Sequence, residues 1–138
     1  MGFVLSKRSL RNLEGVHEDL CKLIKLSITD SPHDFIIIEG LRSKERQRKL
    51  VADGASTTER SRHITGHAID FVAWVDHDGD GKKEISWHWG YYKKIANHMK
   101  AIAEANDIDV DCGADWKKFP DGPHVQLTRF TYPAPDGQ

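Results

Sequence analysis

Hydrophobic residues fall along this chain in short periodic runs separated by polar turns. Leu10, Leu13, Leu20, Leu23, Ile24 and Ile28 keep a spacing of three or four or a whole heptad, which predicts one amphipathic helix with Ser6 or Ser9 as its cap. A turn built on Ser31-Pro32 follows. Phe35-Ile36-Ile37-Ile38 then reads as a short strand, apolar throughout and of the kind buried on both faces, ended by Gly40. Lys44 to Asp53 predicts a charged surface helix stopped by Gly54. Residues 55–65 are polar and irregular, and His67 to Val75 is β-branched, aromatic and partly alternating, so a strand is expected there. After a turn region at 76–83, Trp89 to Asn106 predicts a second amphipathic helix with Tyr92, Ile95, Met99, Ile102 and Ala103 on one stripe. Two further short strands are expected at Ile108–Cys112 and His124–Thr128. The order α, β, α, β, α, β, β predicts an α+β fold, helices packed on a small, mostly antiparallel sheet.

Length and composition narrow this picture. The 138 residues fit one domain, with a core over about residues 10–128 and a loose tail over 132–138. A chain of this size buries roughly two-thirds of its unfolded surface and needs no staples. Twenty basic and 21 acidic residues leave a net charge of −1, which removes the usual argument for a nucleic-acid partner. The two cysteines, Cys21 and Cys112, allow at most one bridge. No run is long enough to span a bilayer, and the four-residue apolar patch near the N-terminus is too short for a signal peptide. A cytosolic product with no stable membrane association, working as a monomer, is therefore expected.

Three stretches hold polar residues that composition does not explain: Ser61 to Asp70, Gly113 to Trp116, and Asp121 to Val125. A hydrolytic zinc ion takes three protein ligands from His and carboxylate, an open fourth position, and a nearby carboxylate to accept a proton. His63 leads into the predicted strand that carries Asp70, and His124 opens another. If those strands are neighbours, the three side chains converge, and Asp121, across the tight Gly122-Pro123 turn, can stand close without being a ligand. Each residue alone has a plainer explanation: a surface histidine, a solvent-facing strand aspartate, an ordinary Asp-Gly-Pro turn. The joint pattern separates the readings.

Ser61-x-His63-x-x-Gly66-x-Ala68-x-Asp70, followed far downstream by Asp121-x-x-His124, resembles the signature of the zinc D-Ala-D-Ala carboxypeptidase and dipeptidase superfamily. The short length and the Gly113-Ala114-Asp115-Trp116 run look most like phage endolysins of the L-alanyl-D-glutamate peptidase type. Asp34-Phe35, Gly40-Leu41-Arg42-Ser43 and Gln47 match the strand and turn that precede the zinc motif in those enzymes. The resemblance implies a zinc cleft in which His63, Asp70 and His124 hold Zn2+ and Asp121 is the general base and acid. It implies a role for Arg42 at a substrate carboxylate or the developing oxyanion, which suits a planar, permanently charged fork. It further implies peptidoglycan as substrate, cleavage of the L-Ala–D-Glu bond, and host lysis by an enzyme that accumulates in the bacterial cytoplasm and reaches the wall after release. The alternatives are a D-Ala-D-Ala carboxypeptidase or dipeptidase with the same zinc chemistry, and a non-catalytic zinc-binding module of the same fold.

Ser61, His67 and Trp116 are candidate residues of the substrate cleft. His67 stands four residues after His63, a spacing seen in helical zinc pairs, but Ile-Thr-Gly intervenes and no glutamate base is present, so a cleft wall is the better reading. Trp116 and Trp74 are candidates to line the groove, although large aromatics are more often core residues. Leu41 to Arg62 holds seven basic residues against three acidic ones, and the charges other than Arg42 are expected to form a solvated face that favours an anionic wall. Asp76, Asp78 and Asp80, followed by Gly81, match the start of a calcium loop, but Trp87 occupies the twelfth position where a bidentate glutamate is needed. An EF-hand is thereby excluded, leaving a weak Ca2+ site or an acidic turn.

Overall fold

Residues 2–56, 61–117 and 121–134 are described by a computed structural model. Arg60 of the basic stretch and residues 135–138 of the expected tail lie outside them. Among the described residues the elements are α1 (Lys7–Asn12), α2 (Glu18–Thr29), β1 (Phe35–Glu39), α3 (Lys44–Ala52), β2 (Ala68–Val75), β3 (Glu84–Ser86), α4 (Trp89–Ala105), β4 (Val110–Cys112), a single 3₁₀ turn (Gly113–Asp115) and β5 (His124–Leu127). This is the expected α+β fold, with every strand pair antiparallel.

The first periodic run is two helices rather than one. Ser6 caps α1 by accepting the Ser9 N–H at 3.0 Å. The chain then turns at Gly15, whose φ of +80° an L side chain resists. His17 caps α2, its Nδ1 accepting the Asp19 N–H at 3.0 Å. Leu13, Leu20, Leu23, Ile24 and Ile28 all reach the same core from either side of that turn, so the periodicity survives the break. Leu10 does not belong to the stripe and is 48% exposed.

Strand β2 is the centre of the sheet. It pairs with β1 along one edge, while its other edge is shared by β5 opposite Ala68–Asp70 and β3 opposite Ala73–Val75. β4 extends the sheet beyond β5. β1 is thus an edge strand with alternating burial, Phe35 and Ile37 inside and Ile36 and Ile38 half-buried, not a strand covered on both faces. Period-two alternation sends Ile69, Phe71 and Ala73 of β2, with Val125 and Leu127 of β5, into the core shared with α2 and α4. Fully burying each such large side chain stabilises the fold by roughly 1.5–3 kcal/mol. The same alternation turns Asp70 and His124 to the opposite face.

The loop between α3 and β2 docks on the α1–α2 turn. His17 donates its N–H to the Gly66 carbonyl at 2.8 Å, Gly66 itself has φ +76°, and a Cβ there would stand 2.6 Å from the Gly15 carbonyl oxygen. Arg62, 2% exposed, donates from one Nη to the carbonyls of Leu127 (2.9 Å), Thr128 (3.3 Å) and Tyr132 (2.8 Å). Tyr132 is anchored rather than loose, its hydroxyl donating to Asp19 at 2.8 Å. Gly66→Ala is expected to lower stability by roughly 1–3 kcal/mol through backbone strain and the clash. Gly54→Ala, at φ +79° with nothing within 4 Å of the added carbon, should lose clearly less. Equal shifts of the two urea midpoints would mean that the loop is not held by this contact.

Candidate active site

Asp70 and His124 face each other as a cross-strand pair of β2 and β5. This is the point where β5 departs from β2: Phe71 donates its N–H to Pro123 instead of to a further residue of β5. His63 arrives from the preceding loop. Its N–H is accepted by Ser61 Oγ at 3.2 Å, and its carbonyl accepts the Arg42 N–H at 2.9 Å. One sequence motif and one distant turn are thereby brought together by main-chain pairing.

The two imidazoles present defined nitrogens. His63 Nδ1 lies 3.0 Å from the Gly40 carbonyl, which can only accept, so Nδ1 donates there and Nε2 is the nitrogen turned to the cluster. His124 Nε2 lies 2.8 Å from Gln126 Oε1, which turns Nδ1 to the cluster in the same way. Those remaining nitrogens approach Asp70, His63 Nε2 at 3.3 Å from Oδ2 and His124 Nδ1 at 3.2 Å from Oδ1. The rings are 5.2 Å apart, and one donor atom from each of the three residues lies within 4.8 Å of the others. Two imidazole nitrogens and one carboxylate oxygen, oriented by outer hydrogen bonds, match the donor set that an open tetrahedral metal site uses. Gln126 was not singled out by sequence reasoning, although its place two residues after His124 on a strand puts both side chains on one face.

Charge inside the cluster is strongly coupled. Burial alone pushes Asp70 up, but hydrogen bonds and positive charge from His124 and His63 outweigh it and hold the carboxyl far below the usual range. Burial pushes His124 down, and the Asp70 hydrogen bond and charge reverse this, so its net shift is upward. Asp121 sits at the solvent-exposed lip. Partial desolvation, then the Asp70 charge, raise its carboxyl against the pull of His124, His63 and Arg42. Its backbone is fixed: Asp121 N–H donates to Gly113 at 2.9 Å, its carbonyl accepts the His124 N–H at 3.1 Å, and a Cβ on Gly113 would collide with that carbonyl.

Arg42 is 9% exposed and lies beside the cluster, Nη2 at 3.7 Å from Asp70 Oδ2. Its fork is closed on Glu39, Nε to Oε1 at 2.8 Å and Nη2 to Oε2 at 2.7 Å, while Nη1 donates to Gln47 at 2.6 Å. Trp116 packs against His124 with ring centroids 5.1 Å apart. Ser61 acts on the loop backbone as described. His67 is not brought to the cluster. Its Nδ1 is 2.7 Å from Thr65 Oγ1, and its ring lies 5.4 Å from that of His17. Asp76, Asp78 and Asp80 form a separate, exposed group whose carboxylates accept the loop's own N–H groups, including Gly81 to Asp76 at 2.8 Å. Cys21 and Cys112 are both free thiols.

The family described as phage L-alanyl-D-glutamate peptidase matches residues 1–135. The L-alanyl-D-glutamate peptidase of Escherichia phage T5 is 30% identical over 135 residues, covering 96% of this chain and 94% of that protein. The enzyme of the same name from Listeria phage A118 is 38% identical over 99 residues, which are 72% of this chain and 32% of that longer protein. The crystal structure of the L-Ala D-Glu endopeptidase ChiX from Serratia marcescens superposes with a TM-score of 0.86 at 44% identity, covering 96% of both chains. The chain belongs to the phage L-alanyl-D-glutamate peptidase family.

Proposed function

We propose that this chain hydrolyses the L-Ala–D-Glu amide of peptidoglycan stem peptides, with one zinc ion held by His63 Nε2, Asp70 and His124 Nδ1. The observation that carries this reading is the approach of three donor atoms to within 4.8 Å, both imidazoles already oriented from behind, next to a carboxyl that is not itself a member of the group. Bound there, zinc supplies a Lewis acid that polarises the scissile carbonyl and makes water a competent nucleophile near neutral pH. Asp121 takes the proton of the attacking water and delivers it to the leaving D-Glu nitrogen. Its raised pKa brings it nearer to the working range of a general base than a free aspartate would be. Arg42, fixed by Glu39 and Gln47, keeps Nη hydrogens for the oxyanion that develops on the carbonyl.

The same reading places the enzyme at the cell wall at host lysis, and no helix among the described residues is long and apolar enough to cross a membrane. A D-Ala-D-Ala carboxypeptidase would use the same chemistry. Digestion of purified peptidoglycan tells them apart, since new D-Glu N-termini support the proposal and released D-Ala overturns it. A non-catalytic zinc module is separated by two variants. Asp121→Ala should keep stoichiometric zinc and lose about 10²–10⁴ in kcat, whereas His63→Ala should lose zinc and activity together. Full turnover by Asp121→Ala would remove the assigned base. Chelation should abolish hydrolysis, and added zinc should restore it.

The raised pKa of His124 sets a pH dependence. In the metal-free protein its proton adds stability that is complete below the unfolded value near 6.5 and is lost as pH rises through the higher folded value. Zinc needs that imidazole without its proton. The gain in Tm on adding zinc is therefore expected to be larger at about pH 8 than at about pH 5.5. A gain that does not change with pH would take His124 out of the ligand set.

A further inference from the structure

Three of the four tryptophans are at least one-third exposed: Trp87 at 65%, Trp89 at 47% and Trp116 at 37%. Indole rings carry a large apolar area, so leaving several of them in water on a small domain calls for a binding explanation. They lie near one another around the turn that carries Asp121. A Cβ at Gly122 would stand 3.2 Å from Trp89 Cζ3 and 3.3 Å from Tyr92 Cβ, so both aromatic residues pack directly on that turn. Trp87 stacks on Tyr92 with the ring planes 5° apart and centroids at 6.0 Å. Tyr92 is itself locked, its hydroxyl donating to the Ser86 carbonyl at 2.6 Å and its ring stacked on Phe71. Trp89 and Tyr92 on the Asp121 turn, with Trp87 on Tyr92, thus form an aromatic ledge beside the cluster, and Trp116 stands against His124.

We propose that Trp87 and Trp89 form a stacking site for a pyranose ring, the N-acetylmuramyl sugar from which the stem peptide hangs. The inference rests on the peptidase reading of the neighbouring site and deepens it. In the stem, the L-Ala nitrogen is acylated by the lactyl group of that sugar. A site that cuts after L-Ala therefore holds the sugar only about two extended units, roughly 7 Å, from the scissile carbonyl. The apolar C–H face of a pyranose is complementary to an indole face, and rigid two-torsion aromatics bind it with little loss of conformational freedom. The charged groups on the Glu39–Arg42 side of the cluster offer no such face.

The test compares kcat/KM for two soluble substrates, L-Ala–D-Glu-containing stem peptide with and without its N-acetylmuramyl group, in the zinc-loaded enzyme and in Trp87→Ala, Trp87→Phe and Trp89→Ala. The ratio favouring the sugar-bearing substrate should fall about tenfold in the alanine variants and be largely kept in Trp87→Phe. An equal loss on both substrates would make these rings mere packing for the Asp121 turn and would overturn the proposal. Binding gives a readout independent of turnover. Tryptophan fluorescence of the metal-free protein should respond to N-acetylmuramyl-L-Ala-D-Glu more than to L-Ala-D-Glu, and Trp87→Ala should erase the difference. Wild type that cuts neither substrate but keeps this sugar-dependent response would sink the peptidase reading and leave the ledge standing. No sugar-dependent response, or a concentration-dependent dimer of the wild type that Trp87→Ala abolishes, would assign the rings elsewhere and end the proposal.

Discussion

The whole site depends on the antiparallel pairing of β2 with β5, which sets Asp70 opposite His124. Side chains alternate faces along a strand, so a slip of one residue would turn Asp70 into the core and bring Ile69 or Phe71 out of it. Register and hydrophobic burial therefore enforce each other. Val125 and Leu127 on β5 and Ile69 and Phe71 on β2 drive the same alignment that leaves His124, Gln126 and Asp70 on the far side. The β2–β5 pairing gives way at Phe71, where the Pro123 carbonyl takes over as acceptor next to the Asp121–Gly122 turn.

Concentrating two imidazoles, a carboxylate and an arginine in a mostly buried space has an electrostatic cost that the protein offsets locally. Both imidazoles and the guanidinium have partners outside the cluster: Gly40 for His63, Gln126 for His124, Glu39 and Gln47 for Arg42. These contacts fix the ring and fork orientations from behind. Glu39 is held well below the ordinary carboxylate range by Arg42 and Arg46 in spite of its burial, so it remains an anion that neutralises the fork. His63, Asp70, His124, Asp121 and Arg42 thus belong to one coupled network, and the loop from Ser61 to His67 is tied into it by the main-chain contacts of Arg42 and His17.

The periodic signals were readable wherever an element's own pattern decided it. β2, α3 and α4 lie within a residue or so of expectation because alternation, a Ser43 cap with the glycine stop at Gly54, and a long amphipathic stripe are local. The failures share a cause. Leu10 to Ile28 read as one helix because a turn that returns the chain to the same core preserves the phase of the pattern, and only the positive φ at Gly15 breaks it. β3, three residues of which two are exposed, exists because β2 offers it a free edge, and nothing in Glu84-Ile85-Ser86 announces that. Phe35 to Ile38 of β1 is apolar throughout and the strand still lies at an edge, where α1 packs beside it and Asn12 donates to the Ile37 carbonyl.

What the sequence determined by itself was the inventory of chemistry. The residue types and spacings around His63, Asp70, Asp121 and His124 carry the resemblance to a zinc peptidase superfamily, and the chain belongs to the phage L-alanyl-D-glutamate peptidase family to which that resemblance pointed. Only the tertiary structure decided which nitrogen of each histidine points inward, that Gln126 and Gly40 set this, that Arg42 has its fork closed on Glu39, that His67 lies beside His17, and that Trp89 packs on the Asp121 turn while Trp116 packs on His124. Each of these is a matter of direction between residues far apart in the chain. Spacing along a chain carries composition and local phase, while directions between distant segments arise only when strand register and core packing are settled together.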